Sequence, residues 1–251
     1  MSLWPHSAAW FDSPPGRLVL DEEAALLAEV YATLFGYWII QVGAWGRATE
    51  LLDGSKIRGR ALVAGADEGS TVVGLTSEPH ALAIAPDSVD AVLLPHTLER
   101  SSTPHAVLRE AERVLVGEGR VLILGFNPWS LWGGRRRLAK LARSRQLPWA
   151  TGQYIGEWRM KDWLSLLGFE VIHSRRYLHG LPSEHPALLR RVEFTHTLGR
   201  RCWPRLAGGY FIVARKRVTT LTPIKPLRAR RKHRLVGGLV EPTSRSLPRS
   251  S

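Results

Sequence analysis

A chain of 251 residues with 44% hydrophobic content is long enough for one substantial core, so one domain with appendages is expected. No run of eighteen apolar residues exists and the opening MSLWPHSAAWFDSPPGR lacks a basic start followed by an apolar core. This excludes a membrane-spanning helix and a secretory signal, and a cytoplasmic protein is expected. The lone Cys202 and nine scattered histidines exclude a disulfide framework and ligand spacing for zinc, so no metal is expected, and the net charge of +13 raises the question of anionic partners.

In chain order, residues 1–20 combine Pro5, Pro14, Pro15 and Gly16 with Trp4, Trp10 and Phe11, which predicts an irregular arm packed onto the domain. Asp21 or a neighbour caps a predicted helix over residues 22–34. A strand over residues 37–42 ends in Gly43-Ala-Trp-Gly46, where glycine lets a ligand approach the backbone closely. Residues 60–64 and 71–75 read as two short strands separated by a turn-like segment over 65–69.

The most informative stretch runs from Asp87 to Leu131. Residues 90–95 form an apolar run with an acid, Asp90, at its start, as expected of a strand buried on both faces, and His96 follows at its carboxyl end. From Pro104 to Val116, Ala106, Val107, Leu108, Ala111, Val114 and Leu115 lie on one helical stripe, which Gly117 and Gly119 end. Residues 121–124 form a second buried strand closed by Gly125-Phe-Asn-Pro-Trp129. Strand, helix and strand with short connections make a right-handed parallel crossover, and ligands sit beyond the carboxyl ends of such strands. Those ends carry His96 and Asn127.

Beyond this stretch, residues 130–145 read as a basic helix, 155–167 as a helix ended by Gly168, and 169–174 and 209–215 as strands. Residues 218–251 carry eight Lys or Arg against Glu241 alone and lack apolar periodicity, which predicts a basic disordered tail of net charge +7. The resulting division is 1–36 as arm and helix, 37–217 as the main domain, and 218–251 as tail. Arg135, Arg136, Arg137, Lys140, Arg143 and Arg145 form a second basic run. Such runs contact nucleic acid or anionic lipid, or simply solvate a surface.

Leu94-Pro95-His96, Pro104-His105-x-x-Leu108-Arg109-Glu110-x-x-Arg113-Val114-Leu115 and Gly125-Phe126-Asn127-Pro128-Trp129-Ser130 together carry a resemblance. The chain resembles class I S-adenosylmethionine-dependent methyltransferases of the type-11 kind, and within them a little-characterised bacterial family. The resemblance covers most of residues 37–217. It implies an α/β, Rossmann-like fold whose central, mostly parallel seven-stranded sheet has flanking helices, with S-adenosylmethionine lying over the first strand ends. The family's first motif, an acid two before a glycine and then alternating glycines, falls on Gln41, Gly43, Trp45 and Arg47, with Gly46 displaced. The acid that holds the ribose falls near Ala64 and Gly65, with Asp67 or Glu68 as imperfect substitutes.

The implied cofactor-binding residues are Gly43, Gly46, Glu78, Pro95 and His96, with Glu78 able to accept from the adenine amino group. His96 is read either as the catalytic general base or as a satisfied structural histidine. Asn127 and Trp129 shape the acceptor pocket. His105 reads as a helix cap, and Arg109, Glu110 and Arg113 as helix-face ion pairs. Because Asn127-Pro128-Trp129 ends the fifth strand and not the fourth, the amine-methylating Asn-Pro box is disfavoured. The expected activity is methyl transfer to a small-molecule acceptor. A nucleic-acid methyltransferase using Arg135–Arg145 and the tail, and a non-catalytic binding relative, remain open, as does the oligomeric state.

Overall fold

The computed structural model describes residues 10–46, 49–65, 74–134, 137, 152–179 and 206–218. The chain divides into two compact units, Met1–Val218 and Thr219–Ser251, and every described residue belongs to the first. The expectations placed on Asp67, Glu68, Cys202, most of the basic run from Arg135 to Arg145 and the tail lie outside the described residues.

Helix α1 spans Pro14–Tyr31, so it starts well before the expected residue 22. Pro14 and Pro15 belong to the expected irregular arm, yet at the first helical positions the missing N–H costs nothing and the fixed φ favours the helix. Ser13 is the N-cap, accepting from the Gly16 amide at 3.4 Å. Gly16 is also required for space, since a Cβ there would lie 2.2 Å from the Trp10 carbonyl oxygen.

The remaining elements are β1 (Trp38–Val42), a 3-10 turn at Glu50–Leu52, β2 (Gly59–Ala64), β3 (Leu75–Thr76), β4 (Val89–Pro95), α2 (Thr97–Arg100), α3 (Pro104–Val114), β5 (Leu115–Phe126), α4 (Glu157–Leu166), β6 (Phe169–Tyr177) and β7 (Gly209–Lys216). They form the expected α/β fold, one seven-stranded sheet of order β3-β2-β1-β4-β5-β7-β6. All pairings are parallel except those of β7, which runs antiparallel to both β5 and β6. The strand order reverses between β1 and β4, which makes their carboxyl ends the topological switch point where open α/β sheets hold ligands.

β5 begins at Leu115, six residues earlier than expected, and α3 ends at Val114. Leu115 pairs with Val89 before a register shift, with Glu118 at a φ of 66°, so the glycines mark an irregular strand entry and not a loop. Side chains alternate across the buried strands. Leu122, Leu124 and Phe126 pack with Val19, Leu27 and Tyr31 on the α1 face, whereas Val121 and Ile123 pack with Val107, Val114, Met160 and Leu164 on the α3–α4 face. Arg113 does more than pair along its helix: it bonds Glu110 at 2.8 Å and also donates to the carbonyls of Leu82 and Ile84, fastening that loop to α3.

Candidate active site

The carboxyl ends of β1 and β4 meet at Gly43 and His96. Gly43 has a φ of 90° and Gly46 of 72°, backbone that glycine adopts without strain. The close approach that Gly43 permits is made by the protein itself, because a Cβ there would lie 2.9 Å from Thr97 Oγ1, which donates to the Val42 carbonyl. Arg100 Nη1 donates to the Ala44 carbonyl at 2.6 Å and holds the rest of the turn. Pro95 is buried as the last residue of β4, opposite Leu124.

His96 follows in the left-handed region (φ 54°) and is 1% exposed. Its ring lies between the indole of Trp45 (centroids 4.2 Å apart) and the ring of Phe126 (4.1 Å). Nε2 is 2.9 Å from Glu23 Oε1, and Nδ1 is 3.0 Å from Glu99 Oε2. Glu23 comes from α1, and its carboxylate also accepts from Tyr177 Oη at 2.8 Å and from Trp45 Nε1 at 2.7 Å. Glu99 accepts from the Phe126 amide at 2.5 Å. Buried charges persist only when paired and hydrogen-bonded, and here two carboxylates share one imidazole.

Burial alone would lower the His96 pKa. The charges of Glu23 and Glu99 and their hydrogen bonds outweigh it and raise the group to about 9. Burial, and then the Glu23 charge, push the Tyr177 hydroxyl well above its ordinary range. This geometry favours the structural reading of His96 over the general base, because each ring nitrogen faces a buried carboxylate of the protein.

The sequence reading missed Glu23, Glu99 and Tyr177. Glu23 had a signal, since it stands within the apolar stripe of Val19, Leu20, Leu26 and Leu27, all buried. Glu99 is three residues after His96 on the adjoining short helix.

Glu78 lies apart from this cluster, on the far side of β1. It is exposed, forms an isolated bridge with Ala81 after β3, and its carboxylate lies 3.5 Å from where a Cβ on Gly65 would be, at the end of β2. Asn127 fastens the end of β5 to the chain before β7: Nδ2 donates to the Ala207 carbonyl at 3.0 Å, and Oδ1 accepts from the Trp129 amide at 3.0 Å. Phe126 and Trp132 stack within the core, but Trp129 is 72% exposed, with the Arg137 guanidinium 5.2 Å from its ring centroid. His105 caps nothing; it packs on Trp163 at 3.8 Å between ring centroids. The grooves of about 210 and 180 Å³ lined by Glu29, Thr33, Arg120 and His173, and by Phe35, Asp90 and Gly117, lie away from His96 and toward the amino ends of β4 and β5.

A family profile described as a methyltransferase domain matches residues 52–123. The uncharacterized protein YafS of Escherichia coli (strain K12) is 32% identical over 223 residues, covering 86% of this chain and 84% of that protein. The chain belongs to the same family as that protein and carries a methyltransferase domain. Rv2003c, an uncharacterized protein of Mycobacterium tuberculosis, is 30% identical over 183 residues, 69% of this chain and 61% of that protein. Among solved structures, an S-adenosylmethionine-dependent methyltransferase from Thermotoga maritima superimposes with a TM-score of 0.58 at 16% identity, over 83% of this chain and 93% of that one. One from Archaeoglobus fulgidus gives 0.54 at 16% identity, over 78% and 94%. The methyltransferase fold is thus shared across the whole sheet, well beyond the residues matched by the profile.

Two regions of this methyltransferase domain relate differently to the family's cofactor. The β2–β3 edge fits a nucleoside, with Gly65 presenting bare backbone and Glu78 a carboxylate that accepts from hydroxyl or amino groups. The β1–β4 end is filled by Trp45, His96 and the Glu23 carboxylate of α1.

Proposed function

We propose that the protein uses S-adenosylmethionine to methylate a small-molecule acceptor. The observation that carries this reading is the placement of Glu78 against Gly65 at the carboxyl end of β2, the strand next to β1, in a sheet of methyltransferase fold. Gly43, Gly46 and Pro95 shape the backbone beneath the donor, and Glu78 holds its nucleoside. The donor supplies an electrophilic methyl group, so the protein's part is in-line alignment of the acceptor and exclusion of water. Phe126, Trp132 and Tyr154 pack together beneath the end of β5, and Asn127 fixes the turn above them.

Calorimetry with S-adenosylhomocysteine tests the donor reading. One-to-one binding is expected, and Glu78→Ala should weaken it roughly ten-fold, the worth of one hydrogen bond to a charged group. Absence of heat at millimolar ligand would overturn the reading. A second reading, a donor-binding module without turnover, is favoured by the closed β1–β4 end. It is separated by methyl transfer from labelled donor to candidate amines, acids and phenols. A nucleic-acid acceptor is supported by the exposed Trp129 and Arg137, which together offer a stacking face and a cation.

A further inference from the structure

Three hydrogen-bond donors from three separate elements converge on one point at the switch point of the sheet. Trp45 Nε1 comes from the turn after β1, His96 Nε2 from the end of β4 and Tyr177 Oη from the end of β6; all three residues are buried. What they hold is a carboxylate, that of Glu23, at 2.7, 2.9 and 2.8 Å. The carboxylate is 0% exposed, and it is carried on α1, the helix that covers this face of the sheet.

Building on the donor reading, we propose that Trp45, His96 and Tyr177 form a carboxylate receptor that the protein fills with its own Glu23, and that a ligand carboxylate enters only by displacing it. The chemistry matches in each element. A carboxylate accepts several donors at once, bonds with a charged partner are the strong ones, and Trp45 and Tyr177 add direction with no competing charge. Glu99, on the opposite side of the imidazole, fixes the ring so that Nε2 points at the receptor. Withdrawal of Glu23 leaves three aimed donors without an acceptor, and the imidazole paired with Glu99 alone. At this end of the helix Glu22 Oε2 also accepts from the Leu178 amide at 2.8 Å.

Two ligands of this site carry a carboxylate: the amino-acid end of S-adenosylmethionine, and a carboxylic-acid acceptor. Propionate is the probe of the receptor itself. Glu23→Ala should melt below the wild-type protein, and propionate should restore its melting temperature saturably while leaving the wild type unmoved. Glu23→Gln keeps the side-chain shape but weakens the seat, and it should show the same response if Glu23→Ala does not fold. S-adenosylhomocysteine and methylthioadenosine, which share a nucleoside but differ in the carboxylate, separate the two sources. About ten-fold tighter binding of the first alone to Glu23→Ala assigns the receptor to the donor. Propionate rescue with equal nucleoside affinities assigns it to an acceptor. Propionate rescue without any nucleoside binding keeps the receptor and overturns the donor reading. No propionate response in either variant overturns the receptor.

Discussion

At the scale of residues, the centre of the molecule is a buried imidazolium held between two carboxylates. Its electrostatics set a testable pH dependence. The His96 pKa is about 9 in the folded protein and near its ordinary 6.5 when unfolded, so the folded state binds the proton more tightly. The cluster's stabilisation is therefore complete below about pH 6.5 and fades as pH rises through 9, with an upper size on the order of 3 kcal/mol. Glu23 from α1, Glu99 from α2 and Tyr177 from β6 are the groups facing the ring that shape this transition. Urea denaturation at pH 6 and pH 9.5 should show the loss, and a His96→Asn variant should flatten it. A stability profile that stays level across this range would contradict a charged His96. Removing one partner of a buried charged pair typically costs about 3–5 kcal/mol, so Glu99→Ala should be among the most destabilising single changes in the chain.

At the scale of elements, α1 and α3 show two ways in which polar groups attach a helix to this sheet. Arg113 on α3 makes bonds to Glu110, Leu82 and Ile84 at 2.8–3.0 Å, and Arg113→Ala should cost about 1–2 kcal/mol by thermal melting without altering donor binding. An equal loss of donor affinity would place that loop in the site. The crossover from β4 through α3 to β5 was legible because an apolar run and a clean helical stripe have no competing interpretation. The start of α1 was not, since Pro14, Pro15 and Gly16 punctuate most contexts and become helix-forming only when a preceding Ser13 caps them. The site was half legible for a similar reason. Sequence pattern located the strand ends at Gly43, His96 and Asn127, but a charge such as Glu23 inside an apolar stripe shows its meaning only when its partners arrive from β4 and β6. The choice between the two readings of His96 was hidden for the same reason, because spacing reveals a titratable ring and not the two carboxylates that face it.

At the scale of the whole molecule, the positive charge lies mainly outside the sheet that carries the chemistry. Residues 218–251 hold eight Lys or Arg against one Glu, and Arg135–Arg145 adds a second run. Counterion release makes such charge visible as salt dependence, roughly 0.7 per phosphate contact on single strands. If single-stranded RNA engages the chain, cutting after Val218 should lower the slope of log affinity against log salt by several units, and Trp129→Ala should weaken binding with the slope nearly unchanged. An unaltered slope after the cut would remove the tail from any such contact. No described helix is long and apolar enough to cross a membrane, and among the described residues no cluster is arranged to hold a metal ion. The proposed chemistry is assigned to the strand ends of the sheet. A crystal structure of the full chain with S-adenosylhomocysteine tests that assignment most directly. The expected result is the adenosyl group beside Gly65 and Glu78, with Trp45, His96 and Tyr177 released from Glu23. Crystals grown at saturating ligand that show the Glu23 seat intact and nothing bound along the β2–β3 edge would contradict it.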